Sequence, residues 1–177
     1  ETVTLNTGSV TGAFANKNVG TSKTVTVSGL TISDTDSGNY TLTQPTRTAN
    51  ITKRPITVTA VTNSKTYDGT PASIGAPTLT AGTIVAGDSA PAWTQSFNNK
   101  NAGTSKVLTP AGLVNDLNSG LNYAYTYATV STGTINKLSI TVTAVSDSKA
   151  YDGLVTSIGT PLLSGATPLV SGDTEPV

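Results

Sequence analysis

Ile56-Thr57-Val58-Thr59-Ala60-Val61, followed by Ser64-Lys65 and Tyr67-Asp68-Gly69, is the stretch that decides the fold. Ile56, Val58 and Ala60 alternate with Thr57 and Thr59. Successive side chains of a strand point to opposite faces, so this period of two describes a half-buried strand. Asp68-Gly69 reads as a turn, because Asp bonds its own backbone and Gly takes positive φ without strain. Pro55 stands just before the strand. Proline interrupts a central ladder, so it marks a junction between domains.

The same words return 84 residues later, as Ile140-Thr141-Val142-Thr143-Ala144-Val145, Ser148-Lys149 and Tyr151-Asp152-Gly153. Asn16-Lys17-Asn18-Val19-Gly20-Thr21-Ser22-Lys23 returns as Asn99-Lys100-Asn101-Ala102-Gly103-Thr104-Ser105-Lys106, 83 residues on. Asn39-Tyr40 and Asn122-Tyr123 share that spacing, and Gly87-Asp88 returns as Gly172-Asp173 after 85. A period of about 84 residues exceeds the 20 to 50 of solenoids and matches a small independent domain. The expected organisation is therefore the C-terminal part of one repeat at 1–54, a complete repeat at 55–137 and the N-terminal part of the next at 138–177. On this reading the two outer segments each lack strands. Neighbouring copies of the repeat are then the natural partners, including strand complementation between chains.

Further alternations at Val3 and Leu5 and at Val25 and Val27, with turn signals at Ser37-Gly38 and Ser119-Gly120, extend the all-β pattern. The expectation is tandem immunoglobulin-like β-sandwiches. Asp36-Ser37-Gly38-Asn39-Tyr40 is similar to the corner of such domains, where a Tyr bonds back to the preceding turn. Tyr123 is its counterpart.

Composition narrows the function classes. Lys+Arg and Asp+Glu are 10 each, charged residues are 11% and Thr numbers 35. No basic stripe marks a nucleic-acid surface, and no apolar run has the length of a membrane helix. There is no Cys and no His, so thiol nucleophiles, Ser-His triads and Cys/His zinc sites are excluded. No catalytic residues and no cofactor are expected.

The candidate sites are mainly structural: Tyr67, Asp68, Gly69, Tyr151, Asp152, Gly153, Tyr40 and Tyr123. Asp34-x-Asp36-x-Gly38 and Asp116-x-Asn118-x-Gly120 resemble half a calcium loop. They make Asp34, Asp36, Asp116 and Asn118 the candidate ligands of a structural calcium, without the closing Glu of a full loop. Lys23, Lys65, Lys106 and Lys149 recur near Asn and Asp, the ingredients of a covalent lysine–asparagine link. That link needs an apolar pocket, and solvated lysines are the simpler reading. Trp93 and Tyr125 could serve sugar stacking or the core. Trp93 aligns near Val10, and the first copy has no aromatic there.

Together these motifs resemble the YDG-type repeats of large bacterial surface proteins, similar to repeats in filamentous-haemagglutinin-like adhesins. The resemblance implies a secreted or cell-surface, non-catalytic stalk or fibre. The alternative is a module that itself binds a glycan or protein.

Overall fold

The computed structural model describes residues 1–164 and 169–174. Among the described residues the strands are β1 (Thr4–Asn6), β2 (Thr11–Phe14), β3 (Gly20–Ser28), β4 (Thr31–Ser33), β5 (Thr46–Ile51), β6 (Arg54–Thr59), β7 (Ser64–Thr66) and β8 (Ala72–Ser73). They continue with β9 (Thr78–Ala81), β10 (Thr94–Phe97), β11 (Gly103–Ala111), β12 (Tyr123–Ala128), β13 (Val130–Asn136), β14 (Thr141–Thr143) and β15 (Leu162–Ser164). One 3-10 turn, Ser37–Asn39, precedes Tyr40. The fold is all-β, as the alternation predicts. The expected third segment, 138–177, includes positions 165–168 and 175–177, which lie outside the described residues.

The chain divides into two compact units, each assembled from three chain segments. The first comprises Glu1–Thr57, Leu79–Pro91 and Leu113–Thr126, and the second Val58–Thr78, Ala92–Gly112 and Tyr127–Val177. Residues 55–137 thus contribute to both.

The first unit holds an antiparallel pair, β1–β4, with Leu5 opposite Ile32. It also holds the antiparallel sheet β2–β3–β5. Phe14 faces Val25 there, and Thr26 faces Thr46. A register shift between Gly20 and Lys23 bulges β3, with Ser22 at φ 49°. Most of the sheet β12–β6–β9 belongs to this unit. Its buried side chains are Ile56, Val114, Tyr123 and Asp116.

The second unit is built on a five-stranded sheet in the order β7–β13–β11–β10–β8. It is antiparallel except for β13 and β7, which run parallel with Ile135 beside Lys65. Burial alternates along β10, where Gln95 and Phe97 are buried, and along β11 at Lys106 and Leu108. Ala60, Phe97, Leu108 and Ile135 form its core, with Tyr67 and Val130 packed against them. Each large apolar side chain buried there stabilises by about 1.5–3 kcal/mol. A small antiparallel pair, β14–β15, completes the unit.

One sequence has two fates. Ile56 and Val58 are 2% and 0% exposed, whereas Ile140 and Val142, in the identical Ile-Thr-Val-Thr-Ala-Val, are 51% and 60% exposed. Local pattern makes the strand in both places, and burial follows from what packs across it.

Candidate functional site

The Tyr-Asp-Gly turn is locked from within. Asp68 Oδ1 accepts from Thr70 N and Thr70 Oγ1, both at 2.9 Å, and pairs with Lys65 Nζ at 2.7 Å. Lys65 Nζ also donates to Thr70 O at 2.7 Å and lies 5.7 Å from the Phe97 ring centroid. Gly69 takes φ +79°, the left-handed conformation that suits glycine. Lys65 and the Thr70 backbone hold the Asp68 carboxyl down at about 2. Tyr151-Asp152-Gly153 repeats the arrangement: Lys149 Nζ meets Asp152 Oδ1 at 2.8 Å and Leu154 O at 2.9 Å, with Gly153 at φ +74°. In both copies the turn consumes the lysine and the aspartate, and leaves the tyrosine to reach outward.

Tyr67 reaches a second turn. Its hydroxyl donates to Asp173 Oδ2 at 2.9 Å, with Oδ1 at 3.2 Å, and Lys100 Nζ stands 3.7 Å from Asp173 Oδ1. Asp173 ends a tight turn in which its N–H donates to Val170 O at 2.9 Å, with Gly172 at φ +93°. A Cβ on Gly69 would come within 2.5 Å of Val170 Cγ1, so only glycine lets the two turns approach this closely.

The first unit carries a similar cluster on the matching Gly-Asp turn, with a different tyrosine, Tyr123, on the aspartate. Asp88 N donates to Val85 O at 3.0 Å, and Gly87 has the same φ of +93°. Asp88 Oδ1 lies 3.3 Å from Lys17 Nζ, and Oδ2 accepts from Tyr123 Oη at 2.7 Å. The Tyr123 hydroxyl in turn accepts from Val85 N at 3.0 Å. Burial first, then the Asp88 carboxylate, raises the Tyr123 pKa, so the phenol stays a donor. Lys17 and Lys100, Val85 and Val170, and Asp88 and Asp173 are matching pairs of the repeat. Each cluster borders a cleft, one beside Asp173 and one of about 220 Å³ beside Asp88.

The Asn-Lys-Asn blocks hold those lysines in place. Asn16 Oδ1 accepts from Asn18 N at 3.1 Å and from Lys23 Nζ at 2.5 Å. Asn99 Oδ1 likewise accepts from Asn101 N at 3.0 Å and Lys106 Nζ at 2.5 Å. Lys106 also donates to Asn101 O at 2.8 Å and is only 7% exposed. Each loop is thus pinned on both sides of Lys17 or Lys100.

The remaining candidates serve turns. Buried Asp116 accepts from Asn118 N at 2.7 Å, Gly120 N at 2.8 Å and Asn122 N at 3.0 Å. Burial alone would raise its pKa, but these backbone donors outweigh it and the net direction is down. Asp36 Oδ2 accepts from Thr2 N at 2.6 Å, and Asp34 O accepts from Ser37 N and Oγ at 3.1 and 2.7 Å. Among the described residues no three acidic side chains gather as a metal site. Tyr40 donates to Glu1. The bond back to the corner turn is made by Tyr125, whose hydroxyl donates to Gly120 O at 3.1 Å and accepts from Val114 N at 2.9 Å. Sequence reasoning did not foresee the tyrosine bridge to the second Gly-Asp turn. The signal for it was present: the lysine, aspartate and tyrosine words recur together.

A family model described as the YDG domain matches residues 1–49 and 52–132. Neither a curated protein nor a solved structure matches the chain.

Proposed function

The chain belongs to the YDG domain family, and on that footing we propose that it is a non-catalytic structural repeat, the building unit of an extracellular bacterial stalk or fibre. The repeat is an immunoglobulin-like β-sandwich with a period of about 84 residues, and its partners are neighbouring copies of itself. The observation that carries this reading is the duplicated cluster. A lysine from an Asn-Lys-Asn loop and a tyrosine hydroxyl meet the aspartate of a Gly-Asp turn at Asp88 and again at Asp173. The lysine and the aspartate are matching residues of the repeat, while the tyrosine comes from the Asn-Tyr corner at Asp88 and from the Tyr-Asp-Gly turn at Asp173. A recurring fastening of the same turn supports a repeat that stacks on its neighbours.

The chemistry favours fastening over turnover. Asp68, Asp88, Asp116, Asp152 and Asp173 are each tied to a lysine, a tyrosine or backbone donors. A surface rich in Thr keeps an uncharged array wet. An adhesin of this build places its ligand-binding function elsewhere and uses the repeat for reach.

The test is surface labelling of the source cells with an antibody raised against this chain. Intact cells should label, and mild external protease should remove the signal. Labelling that appears only after lysis would overturn the extracellular reading.

A further inference from the structure

We propose that Asp68-Gly69 is a latent site of spontaneous isoaspartate formation, and that the Lys65 lock on the Asp68 carboxylate is the device that keeps it from reacting. The inference goes beyond the stalk reading and does not depend on it.

An Asp-Gly link is chemically weak because glycine has no side chain to shield its nitrogen. The Gly69 nitrogen attacks the Asp68 carboxyl carbon and a new N–C bond forms. The carboxyl hydroxyl leaves with the amide proton as water. The resulting succinimide ring takes up water and opens to isoaspartate, which carries the backbone through the side-chain carbon. No other reactant is needed.

Ring closure sets two conditions, and the lock opposes both. The carboxyl must swing onto the Gly69 nitrogen. Asp68 Oδ1 is held instead by Lys65 Nζ at 2.7 Å and by Thr70 N and Oγ1, both at 2.9 Å. Lys65 is itself fixed on Thr70 O at 2.7 Å. These bonds have to break before the ring can close. The carboxyl must also be neutral, since a carboxylate has no hydroxyl to lose. Lys65, and then the Thr70 backbone, hold the folded carboxyl at about 2. Against about 3.9 in the unfolded chain, this cuts the neutral fraction near neutral pH by about 80-fold.

The sequence treats such links consistently. It has two Asp-Gly pairs, and no asparagine precedes a glycine. The second pair, Asp152-Gly153, carries the same lock. Lys149 Nζ meets both Asp152 oxygens, at 2.8 and 3.1 Å, and Leu154 N donates to Oδ1 at 2.9 Å. A lysine three residues before each aspartate and a backbone donor two residues after it thus accompany both vulnerable links.

The experiment ages the whole chain at neutral pH and physiological temperature. Peptide mapping with electron-transfer fragmentation reads isoaspartate at position 68. The reference is the same chain held unfolded in guanidinium chloride. The native chain should form isoaspartate at least about tenfold more slowly, within the roughly 80-fold that the lowered pKa provides. Lys65→Met, shown to be folded by circular dichroism, should lose most of that protection. Thr70→Val, at an exposed position, removes one donor and should speed the reaction to a smaller extent. It decides the matter if Lys65→Met does not fold. Equal rates in the native and unfolded wild type overturn the inference. So does a folded Lys65→Met, or in its place Thr70→Val, that ages no faster than the native wild type, because rigidity of the fold would then protect without the lock. Antibody labelling of intact cells is unaffected by these outcomes, so failure of the lock and failure of the stalk reading are told apart.

Discussion

Tyr67 and Asp173 are 106 residues apart in sequence, and their side chains meet at 2.9 Å. The tyrosine of the Tyr-Asp-Gly motif is therefore not spent on its own turn. Its neighbours Asp68 and Lys65 stabilise that turn by themselves, and the phenol fastens a second one.

Removing only the hydroxyl isolates that bond. Tyr67→Phe should cost about 1–2 kcal/mol, the range for a partly buried hydrogen bond to a carboxylate. The same change at exposed Tyr151 should cost less than about 0.5 kcal/mol in the monomer. Urea unfolding midpoints at low protein concentration measure both. Equal losses would mean that the Asp173 contact contributes nothing.

A second pair uses the duplicated strand. Val58→Ala empties a fully buried position, and Val142→Ala trims one that is 60% exposed. The first should cost about 1–3 kcal/mol and the second less than about 0.5 kcal/mol. The six-residue stretch around each valine is identical, so the difference measures chiefly packing.

That contrast also explains what was legible in the sequence. Period-two alternation located the strands at Ile56 and Ile140 alike, and Asp-Gly located their turns. Alternation carries no information about which face finds a partner, so the exposure of Ile140 and Val142 was invisible. Asp116-x-Asn118-x-Gly120 shows a different limit. The spacing that would wrap a cation also wraps a carboxylate with backbone N–H groups, and in the structure those groups take the Asp116 oxygens. The corner was legible as a turn followed by tyrosines. Tyr123 and Tyr125 share one face of β12, so alternation does not say which of them closes it, and Tyr125 takes that role.

Asp116 should be among the least replaceable residues of the first unit. Asp116→Ala strips three backbone donors of their acceptor in a buried site. Each orphaned group costs about 1–3 kcal/mol. The variant should lose about 4 kcal/mol or more, and Asp116→Asn, which keeps one carbonyl oxygen, should lose less. Thermal unfolding followed by circular dichroism ranks the three proteins.

Acid should loosen the Tyr-Asp-Gly turn in a defined window. Asp68 titrates at about 2 in the folded chain because Lys65 and the Thr70 backbone favour its charged form. An unfolded Asp titrates near 3.9. A lowered folded pKa contributes stability that is fully present above the unfolded value and is lost as pH falls towards about 2. Asp68 is more than half exposed, so solvent screens the effect and it should be small. The fall in the urea midpoint between about pH 5 and about pH 2 should be shallower in Asp68→Asn than in the wild type. Parallel curves would show that the Lys65–Asp68 pair contributes no stability.

The lysine and the tyrosine at Asp173 should differ in weight. Lys100 Nζ is 3.7 Å from the carboxylate, and both side chains are partly exposed. Such pairs contribute about 0.2–1 kcal/mol and weaken as salt screens them. The phenol of Tyr67 donates at 2.9 Å from a partly buried position, where water competes less. A double-mutant cycle with Lys100→Met and Asp173→Asn should therefore give a small coupling that fades in about 1 M salt. A cycle with Tyr67→Phe and Asp173→Asn should give a larger coupling that salt barely changes. If the lysine cycle is the larger, the contact is steered chiefly by charge, and the tyrosine's place in the motif needs another explanation.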